Sequence, residues 1–135
     1  MARIVHYLNQ FFIGAGGEDA AASPPASQPG PVGPGRRLAQ LLGDEHEIVA
    51  TVSCGDDDAA GRPEAVAEIV ALISEVQPDL VVAGPAFTSG RYGLACARVA
   101  AAAKVAGLNA VAAMHPDNPG IDEAGAVFVV PALGT

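Results

Sequence analysis

Asp79-Leu-Val-Val-Ala-Gly-Pro-Ala-Phe-Thr-Ser-Gly-Arg-Tyr-Gly-Leu-Ala-Cys-Ala-Arg98 is the stretch that decides how this chain folds. Leu80 to Ala83 is a short, unbroken apolar run, the pattern of a parallel strand covered on both faces. Gly84 and Pro85 read as its stop, and Gly90 to Gly93 lead into a small-residue helix beginning near Tyr92 to Leu94. Strand, glycine-rich turn and helix make half of a βαβ unit. In open α/β sheets, ligands sit outside the carboxyl ends of the strands. Phe87, Thr88, Ser89, Arg91 and Tyr92 fall in that place, half polar and half aromatic in a chain that is otherwise aliphatic. A site is expected around this turn.

The same alternation repeats on either side. Arg3 to Leu8 reads as a first strand, with Asn9, Gln10, Phe11 and Phe12 at its carboxyl end. Residues 13–35 then carry Gly14-Ala-Gly-Gly17 and a run rich in Pro and Gly, which breaks helices and central strands alike. So long a connection is expected to be a mobile, functional loop. Arg36 to Leu42 presents Leu38, Leu41 and Leu42 on one helical face and stops at Gly43. Glu47 to Val52 is a second strand, bounded by Ser53-Cys-Gly-Asp-Asp-Asp58. Pro63 to Val76 is the clearest helix, with Val66, Ile69, Val70 and Ile73 at i, i+3, i+4 and i+7 and acids near its start. Past the central turn, Leu94 to Ala106 forms an alanine-rich helix, Asn109 to Ala113 a fourth strand and Val127 to Val130 a fifth. Residues 114–126 are too broken for a regular crossover helix. The alternation predicts a single α/β domain over residues 1–135: a doubly wound, mostly parallel five-stranded sheet of flavodoxin or Rossmann type, in the order 2-1-3-4-5.

Bulk properties narrow the class of function. The 135 residues are half apolar, enough to bury a core. Fifteen acids against seven bases give a formal charge of −8, which argues against nucleic acid and anionic membranes as partners. Gly, Pro or charge interrupts every apolar stretch before a membrane span is reached, and His6, Asn9 and Gln10 break any signal-peptide core. A cytoplasmic protein is expected. The two cysteines are too few for a disulfide framework.

The strands deliver a constellation to one rim: Asn9, Phe11 and Phe12; Cys54 and Asp56 to Asp58; Phe87, Arg91 and Tyr92; His115, Asp117 and Asn118. Of four Phe and two Tyr, the four just named are at this rim. Apolar walls with a few polar groups are the signature of a small-molecule pocket, although such rings also cap sheet ends or meet a partner subunit. Cys54, beside Gly55, is the candidate catalytic residue. A thiol becomes a nucleophile only where its thiolate is favoured, and three following aspartates would oppose that, so a pocket-lining or buried thiol is the competing reading. Cys96 reads as a small core residue. His115 with Cys54 and Asp117 lacks any metal-ligand spacing, so no metal is expected. His6 reads as a core histidine and His46 as a solvated one. Gly33-Pro-Gly-Arg-Arg37 opens a helix whose first amides could hold an anion; otherwise the arginines are solvated.

Arg3 to Phe12, Gly30 to Arg36, Glu47 to Asp56, Ala83 to Phe87 with Gly90 to Gly93, Ala95-Cys96 and Pro116 to Gly120 together resemble the N-terminal part of component B of glycine/sarcosine/betaine reductase, the selenoprotein B family. These segments span nearly the whole chain in the same order. Two positions depart: His115 stands where an aromatic Tyr is expected, and no aromatic follows the Cys54-Gly-Asp56 segment. The resemblance implies reductive removal of an amine from a small amino acid or its N-methylated relative. A redox-active cysteine or selenocysteine on a second reductase domain or subunit would take the carboxymethyl group. No such selenocysteine and no Cys-x-x-Cys occurs here, so no cofactor is expected in this chain.

On that reading the chain is one domain or subunit of an oligomer or hetero-complex, and Asn9, Phe11, Phe12, Gly84, Phe87, Arg91, Tyr92, His115 and Asn118 bind the substrate. Arg91 would pair with a carboxylate in bidentate fashion. Asn9 and Asn118 would hydrogen-bond polar groups, and the aromatic rings would exclude water or stack on an alkylated ammonium. The alternative is a non-catalytic binding or assembly module that keeps the scaffold without the chemistry.

Overall fold

The computed structural model describes residues 1–88, 90–125 and 127–133, so Ser89 of the central turn lies outside the described residues. Six strands form one sheet: β1 (Ala2–Asn9), β2 (Ala26–Pro29), β3 (His46–Cys54), β4 (Leu80–Ala86), β5 (Ala110–Met114) and β6 (Phe128–Pro131). Their order is β2-β3-β1-β4-β5-β6. Every pairing is parallel except that of β2 with β3. Without β2, the order is the expected 2-1-3-4-5.

The expected count of five is corrected by β2, which sits inside the Gly/Pro-rich stretch. Ala26 to Pro29 is exposed and pairs antiparallel with Ser53 to Ala50 at the sheet edge. Pro is tolerated there because an edge strand has one side without ladder bonds. Thr51 Oγ1 donates to Gly30 O at 2.8 Å and the Gly30 amide to Val49 O at 3.1 Å, tying the end of the stretch to β3. Glu18–Ala20 forms a 3-10 turn earlier in the same stretch.

Four helices connect the strands: α1 (Gly35–Leu42), α2 (Asp56–Gly61), α3 (Ala65–Val76) and α4 (Tyr92–Val105). The sequence pattern does not announce α2, an Asp-rich turn. Its backbone is anchored from outside, the amides of Gly55 and Asp57 donating to Ser23 O and Ala21 O at 2.9 and 2.8 Å. Nor does β4 stop at Gly84. It runs on to Ala86 through a register irregularity between Ala83 and Ala86, with Gly84–Pro85 in the cis form. The last crossover contains a 3-10 turn, Pro119–Glu123.

The core lies between the sheet and α2, α3 and α4. Val5, Tyr7, Val52, Cys54, Val81, Ala83, Ala112 and Met114 meet Ile69, Ile73, Cys96, Val99 and Ala100 there. The alanines of α4 bring that helix close to β4 and β5. Among the described residues α1 is the one helix on the other face, over β3. A doubly wound sheet with helices on both faces is therefore what forms, with one face more fully covered than the other.

Candidate functional site

β1 and β4 are neighbours in the middle of the sheet. The chains leaving their carboxyl ends part to open a cavity of about 350 Å³, lined by residues that include Asn9, Phe11, Phe12, Asp56, Phe87 and Arg91. This is within the usual range for small-molecule sites. Tyr92 forms part of its wall, and Phe12 stands between the other two rings, 5.5 Å from Tyr92 and 5.6 Å edge-on from Phe11. Tyr92 is buried and donates its hydroxyl to Tyr7 O at 2.9 Å, which fixes the start of α4 over β1. Phe11 is 65% exposed, a rim residue with an uncovered outer surface.

The floor is polar. Asn9 Oδ1 accepts from the Phe12 amide at 3.0 Å, and Asn9 Nδ2 donates to Asp56 Oδ2 at 3.1 Å. The Asp56 amide donates to Gln10 Oε1 at 3.0 Å, while Gln10 Nε2 donates to Gly17 O at 3.2 Å. Asp56 is only 9% exposed, and its Oδ1 is buried with no hydrogen-bond partner among the described residues. Burial pushes its carboxyl up; the bond from Asn9, the Arg91 charge and Gln10 offset part of that rise. A buried carboxylate oxygen without a partner is costly unless something cationic or hydrogen-bonding arrives to meet it.

Arg91 stands at the mouth with its guanidinium engaged. Its Nη2 is 2.7 Å from Glu18 Oε1, and its Nη1 is paired with Asp57. Glu18 belongs to the 3-10 turn of the Gly/Pro-rich stretch and its side chain is 80% exposed, so this pair can open to water. The sequence reading placed Asp56 at this rim without giving it a binding role, and it missed Gln10 and Glu18 as site residues. Gln10 and Asp56 did carry a signal, being polar residues at predicted strand ends; Glu18, distant in sequence from any strand end, carried none.

Cys54 is at the carboxyl end of β3, beside this site, but it does not line the cavity. It is 2% exposed. Its Sγ donates to Asp58 Oδ2 at 3.5 Å and lies 3.7 Å from Ser23 O. Burial, followed by the Asp58 carboxylate, pushes the thiol up to about 12, an environment that holds it protonated. Asp58 is itself kept low by Arg62, whose Nε donates to Asp58 Oδ1 at 2.8 Å.

Three further predicted contacts lie elsewhere. Gly84 points its carbonyl to the opposite face of the sheet, where it accepts from His6 Nε2 at 2.6 Å. Asn118 is buried, its Nδ2 donating to Phe87 O at 2.5 Å and its Oδ1 accepting from the Gly120 amide at 2.8 Å, so it holds the Phe87 loop in place from behind. His115 follows β5, with Nδ1 accepting from the Asp117 amide at 3.0 Å. Of Asn9, Cys54, Arg91 and His115, all at the carboxyl end of the sheet, Asn9 and Arg91 share the cavity wall. Among the described residues, no cluster of three or more His, Cys, Asp or Glu is arranged to hold a metal ion. Among them, too, no helix is long and apolar enough to cross a membrane.

Comparison with known proteins gives this site a context. Residues 1–132 match the glycine/sarcosine/betaine reductase selenoprotein B family. The glycine reductase complex component B subunit gamma of Symbiobacterium thermophilum is 55% identical over 122 residues, 89% of this chain and 28% of that protein. In Peptoclostridium acidaminophilum, the sarcosine reductase complex component B subunit beta is 49% identical over 122 residues, again 89% and 28% of the two chains. The betaine reductase complex component B subunit beta of the same organism is 37% identical over 123 residues, 90% and 28%. The chain thus spans 28% of the length of these curated relatives. No solved structure matches it. With nearly its whole length matched, this chain belongs to the glycine/sarcosine/betaine reductase selenoprotein B family.

Proposed function

We propose that this chain forms one wall of the amine pocket in a complex of the glycine/sarcosine/betaine reductase type. A cysteine or selenocysteine on a partner domain or subunit there cleaves the C–N bond reductively. The observation that carries this reading is the buried, unpartnered Oδ1 of Asp56 in a cavity walled by Phe11, Phe12, Phe87 and Tyr92. An ammonium group, bare or N-methylated, supplies the missing charge to Asp56, while the ring faces favour a cation with a greasy coat. The substrate carboxylate then exchanges with Glu18 for Arg91, whose planar fork suits it. Asn9 and Gln10 hold the acid in place. Two free thiols and the absence of a long apolar helix among the described residues suit a reducing, cytoplasmic setting.

A second reading has one observation in its favour. Among the described residues no thiol lines the cavity, and both cysteines are buried. On that reading the chain binds a small cation, or only assembles with a partner, and contributes no chemistry. Titrating glycine, sarcosine and betaine into the assembled complex separates the two. Asp56→Asn is expected to weaken binding of the preferred amine by about 1.5–3 kcal/mol, the usual worth of a hydrogen bond to a charged group. Arg91→Ala should weaken amino acids while sparing amines that lack a carboxylate. If both variants bind all three amines as the parent does, the pocket lies elsewhere.

A further inference from the structure

The strands in the middle of the sheet are apolar on both sides, yet only one side is closed. In β4, Val81, Ala83 and Ala86 are buried, while Leu80, Val82 and Pro85 stay partly exposed. In β5 the alternation repeats, with Ala110, Ala112 and Met114 buried and Val111 and Ala113 partly exposed. Between α1 and these strands runs a groove of about 490 Å³, lined by residues including Leu38, Leu41, Leu80, Val82, Val111 and Val130. Its lining is apolar apart from Arg37 and the buried His6. Leu41, Phe128 and Val130, 69%, 69% and 40% exposed, carry the greasy surface outward.

We propose that this groove is the seat of an amphipathic helix from the polypeptide that corresponds to the part of the relatives outside the matched segment. Three observations choose that occupant. Sheets of parallel strands are found with both faces covered, and continuous apolar runs like Leu80 to Ala83 are written for that situation. On the covered face the 14-residue α4 spans β4 and β5, so the open face of the same two strands has room for a helix of comparable length. The relatives are several times longer than the matched segment, since it makes up only 28% of them, so they hold polypeptide to fill it. A second copy suits the groove less well, because two chains of formal charge −8 repel. The incoming helix therefore carries an apolar stripe flanked by an acid that meets Arg37.

The test supplies the remainder of the Symbiobacterium thermophilum subunit, outside its 122 matched residues, as a separate polypeptide to this chain with methyl-labelled Leu and Val. Resonances of Leu38, Leu41, Val82 and Val111 are expected to move, and those of Val81, beneath α4, and of Val99, on the buried side of α4, to stay. Leu41→Asp, on an exposed side chain that folding does not need, should weaken the association about tenfold or more, as loss of an interface anchor does. Leu41→Met should retain it, and Asp56→Asn, at the separate carboxyl-rim pocket, should leave it unchanged. Shifts confined to the carboxyl rim or to the α3/α4 face would overturn the proposal. So would failure to bind by a remainder that circular dichroism shows to be folded, or self-association of the chain alone that Leu41→Asp dissolves.

Discussion

The two faces of this sheet are built from equally apolar strands but are in different states of completion. Behind β4 and β5, the small side chains of Ala95, Ala100 and Ala103 let α4 settle onto Val81, Ala83 and Ala112, and all of these are buried. In front, Leu80, Val82, Val111 and Ala113 remain half-exposed beside α1, whose own Leu41 looks into solvent. Alternating apolar residues therefore report the burial a strand is written for, which at β4 and β5 exceeds the burial found on the open face. The carboxyl rim obeys another logic: its buried polar groups are largely committed to one another, and among the described residues there the buried Asp56 Oδ1 remains uncommitted.

The comparison is broken most forcefully by truncating one side chain on each face. Ile73→Ala, on the buried side of α3 and fully enclosed in the core, should lower unfolding stability by about 2–5 kcal/mol in a urea titration, because the rigid core leaves a cavity. Leu41→Ala should change it by no more than about 0.5 kcal/mol, as surface substitutions do. Equal losses at the two positions would mean that the open face is closed in solution.

A step smaller is the packing that supports the pocket wall from behind. A Cβ at Gly93 would overlap the Asn118 amide group, and Gly120 closes on Gly93 from the same side. Gly93→Ala should therefore destabilise by about 1–3 kcal/mol, as overpacking does, and loosen the Asn118 bond to Phe87 O. Denaturant unfolding reads the first effect, and amide exchange at Gly120, which donates to Asn118, the second. A stable Gly93→Ala chain with unchanged exchange would show that this corner yields.

Much of this was legible from residue order alone. The apolar runs placed all five parallel strands, and the i, i+3, i+4, i+7 spacing of Val66, Ile69, Val70 and Ile73 placed α3. Sequence could not show β2, because Ala26-Ser-Gln-Pro29 is held by backbone pairing and buries none of its own residues. It could not show α2, because Asp56-Asp-Asp58 has no apolar period and is organised by Ala21 and Ser23 from another part of the chain and by Arg62 just past its end. At the site, the aromatic rim followed from strand polarity. The role of Gly84 did not, since the irregularity between Ala83 and Ala86 decides which face the Gly84 carbonyl serves. Cys54 points away from the cavity for a similar reason: it alternates with Ala50 and Val52 on the core side of β3.

The smallest effect sharpens the comparison by titration, through His6 on the open face. Its Nε2 donates to Gly84 O at 2.6 Å, which leaves Nδ1 as a buried acceptor with no partner among the described residues. A second proton would have to sit on that nitrogen, against Gly35 at the start of α1, with no acceptor waiting. Burial accordingly holds the imidazole below its ordinary 6.5, and the bond to Gly84 restores only part of the loss. The unfolded chain therefore takes up the proton first as pH falls. Stability is full above pH 6.5 and declines from there towards the lowered folded value, with a slope of at most about 1.4 kcal/mol per pH unit for one proton. Replacing the side chain by His6→Gln should flatten that slope between pH 5 and 7 in urea titrations. Seating a helix in the groove should steepen it in the parent, since the ring then loses what water it still meets. A slope that survives His6→Gln would assign the proton to another group and separate the imidazole from the state of the open face.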